Sequence, residues 1–178
     1  MATLENLQAA FNGESNANAK YTAFAAKADE EGYAPVASLF RAAAAAEAIH
    51  AAGHAAQIRR MGGTPKAEIG RPDVKSTREN LMAAIQGETY ERDVMYPDFL
   101  KEARAAENRG AITTFEYALA SEAEHARLYQ DALDNLESWR GPKRNFYVCE
   151  VCGYTTASPV ADRCPACKAK KERFKVVD

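Results

Sequence analysis

The strongest constraint on this fold is that the first 140 residues repeat themselves. Residues 39–50 align with residues 114–125 at an offset of 75, which brings Phe40 onto Phe115, Glu47 onto Glu122 and His50 onto His125, with three alanines coinciding as well. A second match, at an offset of 74, places Asn12-Gly13-Glu14 on Gln86-Gly87-Glu88. Around these matches apolar residues such as Leu7, Ala10, Phe11, Ala17, Tyr21 and Phe24 recur at helical spacing. Four helices are expected. The first covers residues 4–31, and the second runs from Pro35, suited to a first helical turn, to about Met61. The third opens on a Ser76/Glu79 capping box and is kinked but not ended by Pro97, and the fourth runs from Asn108-Arg109-Gly110 to Trp139. Each half is then a helical hairpin carrying one lone glutamate and one Glu-x-x-His, and two such hairpins about a pseudo-twofold axis make an all-α four-helix bundle.

Residues three apart share a helix face, so Glu47 with His50, and Glu122 with His125, each present an oxygen and a nitrogen ligand together. Glu14 and Glu88 come from the other two helices. A glutamate from each of two helices plus Glu-x-x-His from each of the other two is the ligand pattern of ferritin-like di-iron or di-manganese bundles. A single Glu-x-x-His would ordinarily be surface charge on a glutamate-rich helix. Here the pairs sit in matching repeats, flanked by Ala46, Ala48, Ala120 and Ala123, and four carboxylates in a dry core need cations to offset their repulsion. The symmetry is broken once: where the first helix has Ala17, three residues after Glu14, the third has Glu91, three after Glu88. That extra carboxylate is either a solvated charge or a further ligand, and its place opposite the symmetry-related alanine favours the ligand.

All four cysteines fall in the last 30 residues, as Cys149-x-x-Cys152 and Cys164-x-x-Cys167. In a reducing compartment two such knuckles indicate a metal rather than disulfides. Gly141-Pro142 marks a linker, so the expected domains are residues 1–140, the bundle; 141–145, the linker; and 146–178, a small metal-binding β domain. With only Phe146, Tyr147, Tyr154 and Phe174 as larger apolar side chains, that tail requires its metal to fold. Four thiolates accept zinc as readily as iron. Gly153-Tyr154 after the second cysteine and Pro165 inside the second knuckle look like rubredoxin, and fusion to a di-iron site gives a one-electron iron an obvious use.

The composition, 47% hydrophobic and 27% charged, is that of a soluble globular protein. With a formal charge of −2, pI near 6.0 and dispersed basic residues, neither nucleic acid nor a membrane is an expected partner. Residues 1–20 have no basic and apolar leader pattern, and the expected location is the cytoplasm.

Over essentially its whole length the chain resembles the rubrerythrins. The resemblance implies seven di-iron ligand positions, Glu14, Glu47, His50, Glu88, Glu91, Glu122 and His125, each with the expected residue here, and a rubredoxin-like iron held by Cys149, Cys152, Cys164 and Cys167. It also implies that one iron is bound by Glu91 when oxidised and moves to His50 when reduced. Charge balance allows this, since five glutamates with two ferrous ions carry the same net charge as with two ferric ions and an oxo bridge. Tyr21 and Tyr96 correspond to family tyrosines that hydrogen-bond ligand carboxylates; packing is the alternative for both. His54, one turn beyond His50, is expected to support the site or to be merely exposed.

The activity so implied is reduction of hydrogen peroxide to water, in defence against oxidative stress. Glu91 handles the proton, His50, Tyr21 and Tyr96 assist, and electrons reach the tail iron from an external reductase or rubredoxin linked to NADH. Two other classes stay open: ferroxidase-type iron storage, and a zinc-stabilised interaction module. A head-to-tail homodimer is also expected. A fourth helix running about 14 residues past His125 would leave the tail roughly 20 Å from its own cluster. Electrons would then cross between subunits.

Overall fold

The computed structural model describes residues 2–178; Met1, the first residue of the expected bundle domain, lies outside them. Helix α1 (Ala2–Glu30) and helix α2 (Ala34–Arg60) form the first hairpin, with Pro35 in the first turn of α2. Residues 62–76 then cross the bundle without regular structure, laid along α1 by three side-chain amides one turn apart. Gln8 bonds both backbone groups of Lys66, Asn12 accepts from Glu68 N–H at 2.9 Å, and Asn16 bridges Glu68 C=O and Gly70 N–H, each at 2.9 Å. These amides satisfy a connection too long for a tight turn.

The expected capping box opens α3 (Thr77–Tyr90): Ser76 Oγ accepts from Glu79 N–H and Glu79 accepts from Ser76 N–H. The helix does not pass straight into α4 (Tyr96–Ala105). Between them residues Glu91–Met95 form a π turn, closed by Tyr96 N–H to Glu91 C=O, immediately before Pro97, and the chain stays helical throughout. Asn108 caps α5 (Arg109–Asp134) by accepting from Ala111 N–H at 3.0 Å. The fourth helix therefore ends five residues short of Trp139; a 3₁₀ turn, Leu136–Trp139, follows.

Two aromatic clusters flank the centre of the bundle, and they obey the repeat. Tyr21, Phe24, Phe40 and Tyr129 pack with ring centroids 5.2–6.2 Å apart on one side. Tyr96, Phe99, Phe115 and His54 do the same on the other, at 5.5–6.3 Å. Every member of one cluster lies 75 positions from its counterpart in the other.

The tail is a three-stranded antiparallel sheet in the order β2-β1-β3, from β1 (Phe146–Cys149), β2 (Thr155–Thr156) and β3 (Phe174–Val177). Phe146 pairs with Val177 and Cys149 with Phe174 on one side of β1, and Val148 with Thr155 on the other. Phe146 and Val148 are buried in the same core as α1 and α2. Among the described residues no helix is long and apolar enough to cross a membrane.

Candidate metal centre

The helical faces that carry the repeat converge midway along the bundle. Glu14, Glu47, His50 and Glu122 each bring one ligand atom to within 4.8 Å of the others, and so do Glu47, Glu88, Glu122 and His125. Glu47 and Glu122 belong to both groups. The arrangement is thus two adjacent centres bridged by two carboxylates, with Glu14 and His50 completing one and Glu88 and His125 the other. His50 Nδ1 lies 2.9 Å from Glu47 Oε2 and 3.2 Å from Glu122 Oε1; His125 Nδ1 lies 3.0 Å from Glu122 Oε2 and 3.3 Å from Glu47 Oε1.

All six side chains are buried. One oxygen of each of the four glutamates, Glu14 Oε2, Glu47 Oε1, Glu88 Oε2 and Glu122 Oε1, has no hydrogen-bond partner. Burial first, and then the mutual repulsion of the carboxylates, drives Glu14 and Glu122 far above the ordinary carboxylate range. Burial would raise Glu47 as well, but His125 and His50 outweigh it and hold that carboxyl well below the usual value. Buried acceptors without donors are costly unless cations occupy the space between them. An oxygen-rich set with two imidazoles suits divalent iron or manganese, and two such ions fit these residues.

The histidines are oriented from outside. His50 Nε2 lies 3.0 Å from the carbonyl oxygen of Cys152, which can only accept, so this nitrogen carries the proton and Nδ1 turns its lone pair toward the carboxylates. His125 is set by the same logic. Ser121 and Thr155 both donate their hydroxyl hydrogens to Gly153 C=O, at 3.0 Å each, and accept from His125 Nε2 at 3.3 and 3.1 Å.

The two expected tyrosines bond carboxylates across the bundle. Tyr21 donates to Glu88 Oε1 at 2.5 Å and Tyr96 donates to Glu14 Oε1. His54 is fully buried rather than exposed: its Nε2 lies 3.1 Å from the Tyr96 hydroxyl and its Nδ1 3.1 Å from Thr114 Oγ1. Burial, reinforced by His50, depresses it to about 3, so it stays neutral as a support for Tyr96. Tyr129 was not anticipated. It occupies the repeat position of His54, packs edge-on to Tyr21 with ring centroids 5.5 Å apart, and buries a hydroxyl without a partner; the offset of 75 would have found it.

Glu91 stands apart from the two ligand groups. It opens the π turn, half-buried, and lines a cleft of about 280 Å³ together with Gly13, Lys20, Tyr21, Gly87 and residues 70–73. Burial and then the charges of Glu88 and Glu47 raise its carboxyl to about 8.

In the tail, the four cysteine sulfurs lie within 4.8 Å of one another, with Cys149 to Cys167 at 3.7 Å and Cys152 to Cys164 at 3.6 Å. Sulfurs at about 2.3 Å from a tetrahedral ion would be about 3.8 Å apart, so these edges already match a metal. Each knuckle is closed by an N–H directed back to its first cysteine: Gly153 to Cys149 C=O at 2.8 Å, and Lys168 to Cys164 C=O at 3.0 Å.

The tail sits on its own bundle, which overturns the expectation that it lies far from its own cluster. Three things make the return possible. Helix α5 stops at Asp134, the chain reverses at Gly141 (φ +117°), and Arg140 stacks on Tyr33 while donating to its hydroxyl and to Glu31 C=O. Strand β1 then supplies the rest of the reach, since Trp139 stacks on Phe146 and β1 runs along α2 as part of the core. The first knuckle lands directly on the site. A Cβ on Gly153 (φ +78°) would overlap the His50 ring, so only glycine allows this approach.

A family model described as Rubrerythrin matches residues 5–133, and one described as Rubrerythrin, rubredoxin-like domain matches residues 147–175. Nigerythrin of Nitratidesulfovibrio vulgaris is 39% identical over 174 residues, covering 97% of this chain and 85% of that protein. Rubrerythrin-2 of Clostridium acetobutylicum is 35% identical, with 97% and 95% covered. The structure of fully reduced, all-ferrous nigerythrin superimposes with a TM-score of 0.90 at 38% identity, covering 98% of this chain and 86% of the other. Desulfovibrio desulfuricans bacterioferritin, at 21% identity, a TM-score of 0.71, and 76% and 80% covered, shares the bundle fold.

Proposed function

The chain belongs to the rubrerythrin family, with that family's di-iron carboxylate centre and rubredoxin-like iron, and from this premise we propose that it reduces hydrogen peroxide to water with electrons relayed through its own tail. The observation that carries the reading is the 3.0 Å contact between His50 Nε2 and the Cys152 carbonyl, which joins a ligand of one metal site to a ligand residue of the other. Two ferrous ions held by Glu14, Glu47, His50, Glu88, Glu122 and His125 would supply the two electrons that cleave the O–O bond, and a one-electron iron on Cys149, Cys152, Cys164 and Cys167 would restore them singly.

The protein's own groups then have separate tasks. Glu91 lines the cleft, where burial raises its carboxyl above the ordinary range, and it can deliver one of the two protons that peroxide reduction consumes. Being outside the two ligand groups, it is free to exchange with His50 as a ligand. Tyr21 and Tyr96 fix the carboxylates of Glu88 and Glu14, and His54 holds Tyr96. Because His50 and Cys152 of one chain meet, transfer is assigned to the cis route, within each protomer of a head-to-tail homodimer and not between its two chains. The upstream electrons come from a cytoplasmic donor linked to NADH. The fully reduced chain holds three electrons and each peroxide takes two, so the test is to mix it with excess hydrogen peroxide and follow the ferric colour of the tail. It should appear as peroxide disappears, and faster than with dioxygen; a peroxide concentration that does not fall would remove the reading.

A further inference from the structure

The two cysteine knuckles share one backbone design yet differ at one residue. Gly153 and Lys168 each follow the second cysteine of a knuckle, each has positive φ (+78° and +64°), and each donates its N–H to the first cysteine's carbonyl. Glycine takes this conformation without strain, and lysine does not. At the first knuckle glycine is required, because the bundle leaves no room for a Cβ. At the second, the chain carries an exposed lysine where glycine would be easier.

That lysine is part of a positive rim. Its Nζ donates to Pro165 C=O at 2.7 Å, which holds the ammonium over the second knuckle. Arg163 donates to Lys168 C=O at 3.0 Å and pairs across a β-bridge with Lys170. The tail, residues 146–178, has six basic and four acidic side chains in a chain of net charge −2, so it is basic where the bundle is acidic. Three of the four acids are close to arginine or lysine partners: Glu150 to Arg173, Asp162 to Arg163, and Asp178 to Lys143. Glu172 is the fourth. Lys168, Lys170 and Lys171 pair with no carboxylate among the described residues. Inside this rim lie exposed Pro165, half-buried Ala166 and Cys167, the one cysteine of the four that solvent reaches.

We infer that the second knuckle, rimmed by Arg163, Lys168 and Lys170, is the docking surface for an acidic one-electron carrier protein. The inference rests on the proposed role of the tail as a relay. It gives the tail a direction: electrons enter at Cys167 and leave at Cys152, on the side sealed against His50. A positive rim around a small apolar centre attracts a negatively charged partner and brings its redox group toward the exposed sulfur. Each encounter moves one electron from the carrier to ferric iron in the tail.

The experiment uses the full iron-loaded chain without peroxide, so it is read independently of peroxidase activity. The probe is reduced flavodoxin, an acidic one-electron carrier, and the readout is the second-order bleaching of the ferric tail in stopped flow. Bleaching should slow as salt rises, and Lys168→Glu should lower the low-salt rate constant about tenfold and flatten the salt dependence. Lys101→Glu, the same charge change on exposed α4, should alter it by less than about twofold. Lys168→Gly guards against a misfolded tail: it should keep the ferric spectrum, bleach normally with a zwitterionic viologen that needs no docking, and still lose rate with flavodoxin. In the zinc-loaded chain, amide shifts on adding oxidised flavodoxin should fall on residues 163–171. Equal effects of the Lys168 and Lys101 changes, a rate indifferent to salt, or shifts elsewhere would overturn the docking surface while leaving the peroxidase reading intact.

Discussion

Side chains that never need to touch a metal set the properties of this centre, and substitutions there separate support from ligation. Removing one hydroxyl in Tyr96→Phe leaves Glu14 free to rotate and His54 without its acceptor. Ferrous affinity of the bundle should fall by about tenfold to a hundredfold, measured by competition with a chelator, while the fold is retained. Protons compete for the same atoms. In the metal-free chain Glu14 and Glu122 are raised by burial and by neighbouring carboxylates, and His50 and His125 by their glutamate partners against burial. A group raised on folding contributes stability below its unfolded value, 4.5 for glutamate and 6.5 for histidine, and loses it as pH rises through the folded value. Glu47, held low, acts oppositely but only below 4.5. The metal-free protein should therefore weaken from pH 5 to pH 8, whereas metal binding, which expels these protons, should tighten. Calorimetric melting of stripped and ferrous-loaded samples should show a gap that widens with pH; a constant gap would mean the protons are held elsewhere.

The π turn is the element that sequence periodicity alone missed, although its trace is present. Glu14 and Tyr21 are seven residues apart, Glu88 and Tyr96 eight, and the repeat offset slips from 74 to 75 between them. A continuous α-helix would swing Tyr96 about 100° away from the face that carries Glu88. The wider turn absorbs the extra residue and returns Tyr96, Phe99 and everything beyond to register. The convergence of the lone glutamates, both Glu-x-x-His pairs and the cysteine knuckles was legible because each sits at fixed helical or C-x-x-C spacing. Tyr129 and the Cys152 carbonyl were not, the first because its role depends on a cross-bundle neighbour and the second because a backbone oxygen leaves no mark in the sequence. Deleting Val94 should close the turn to α geometry and keep Tyr96 aligned with Glu14. The bundle should still bind two metals per chain with no loss of melting temperature, yet lose Glu91-dependent peroxide turnover. A deletion variant as active as the parent would leave the turn a neutral insertion.

At the scale of the molecule the question is whose bundle a tail serves. Reading helix length from breakers alone carried α5 to Trp139 and left little more than the linker, residues 141–145, to bring the tail back. In the structure α5 stops nine residues after His125, and β1 does the spanning by burying Phe146 and Val148 against α2. Burying two such side chains gives the tail about 3–6 kcal/mol of hydrophobic attachment, enough to make the docked position the resting one. Gly153 is the point on which that attachment reaches the chemistry. Gly153→Ala should leave the tail's metal in place, cost about 1–3 kcal/mol of docking through overlap with the His50 ring, and slow reoxidation of the tail by peroxide. The decisive comparison pairs a chain lacking Cys149 and Cys152 with a chain lacking Glu47 and Glu122. Each alone is inactive, one without an entry for electrons and the other without a site to receive them. Dissociated and reassembled together, with mass spectrometry confirming mixed species and their remaining metals, they should stay inactive, because an intact tail rests on its own broken bundle. For the parent chain, turnover per mole should likewise not change with dilution. Activity restored in the mixture would show that tails reach across to a second bundle, and the contact between Cys152 and His50 would then join two chains instead of one.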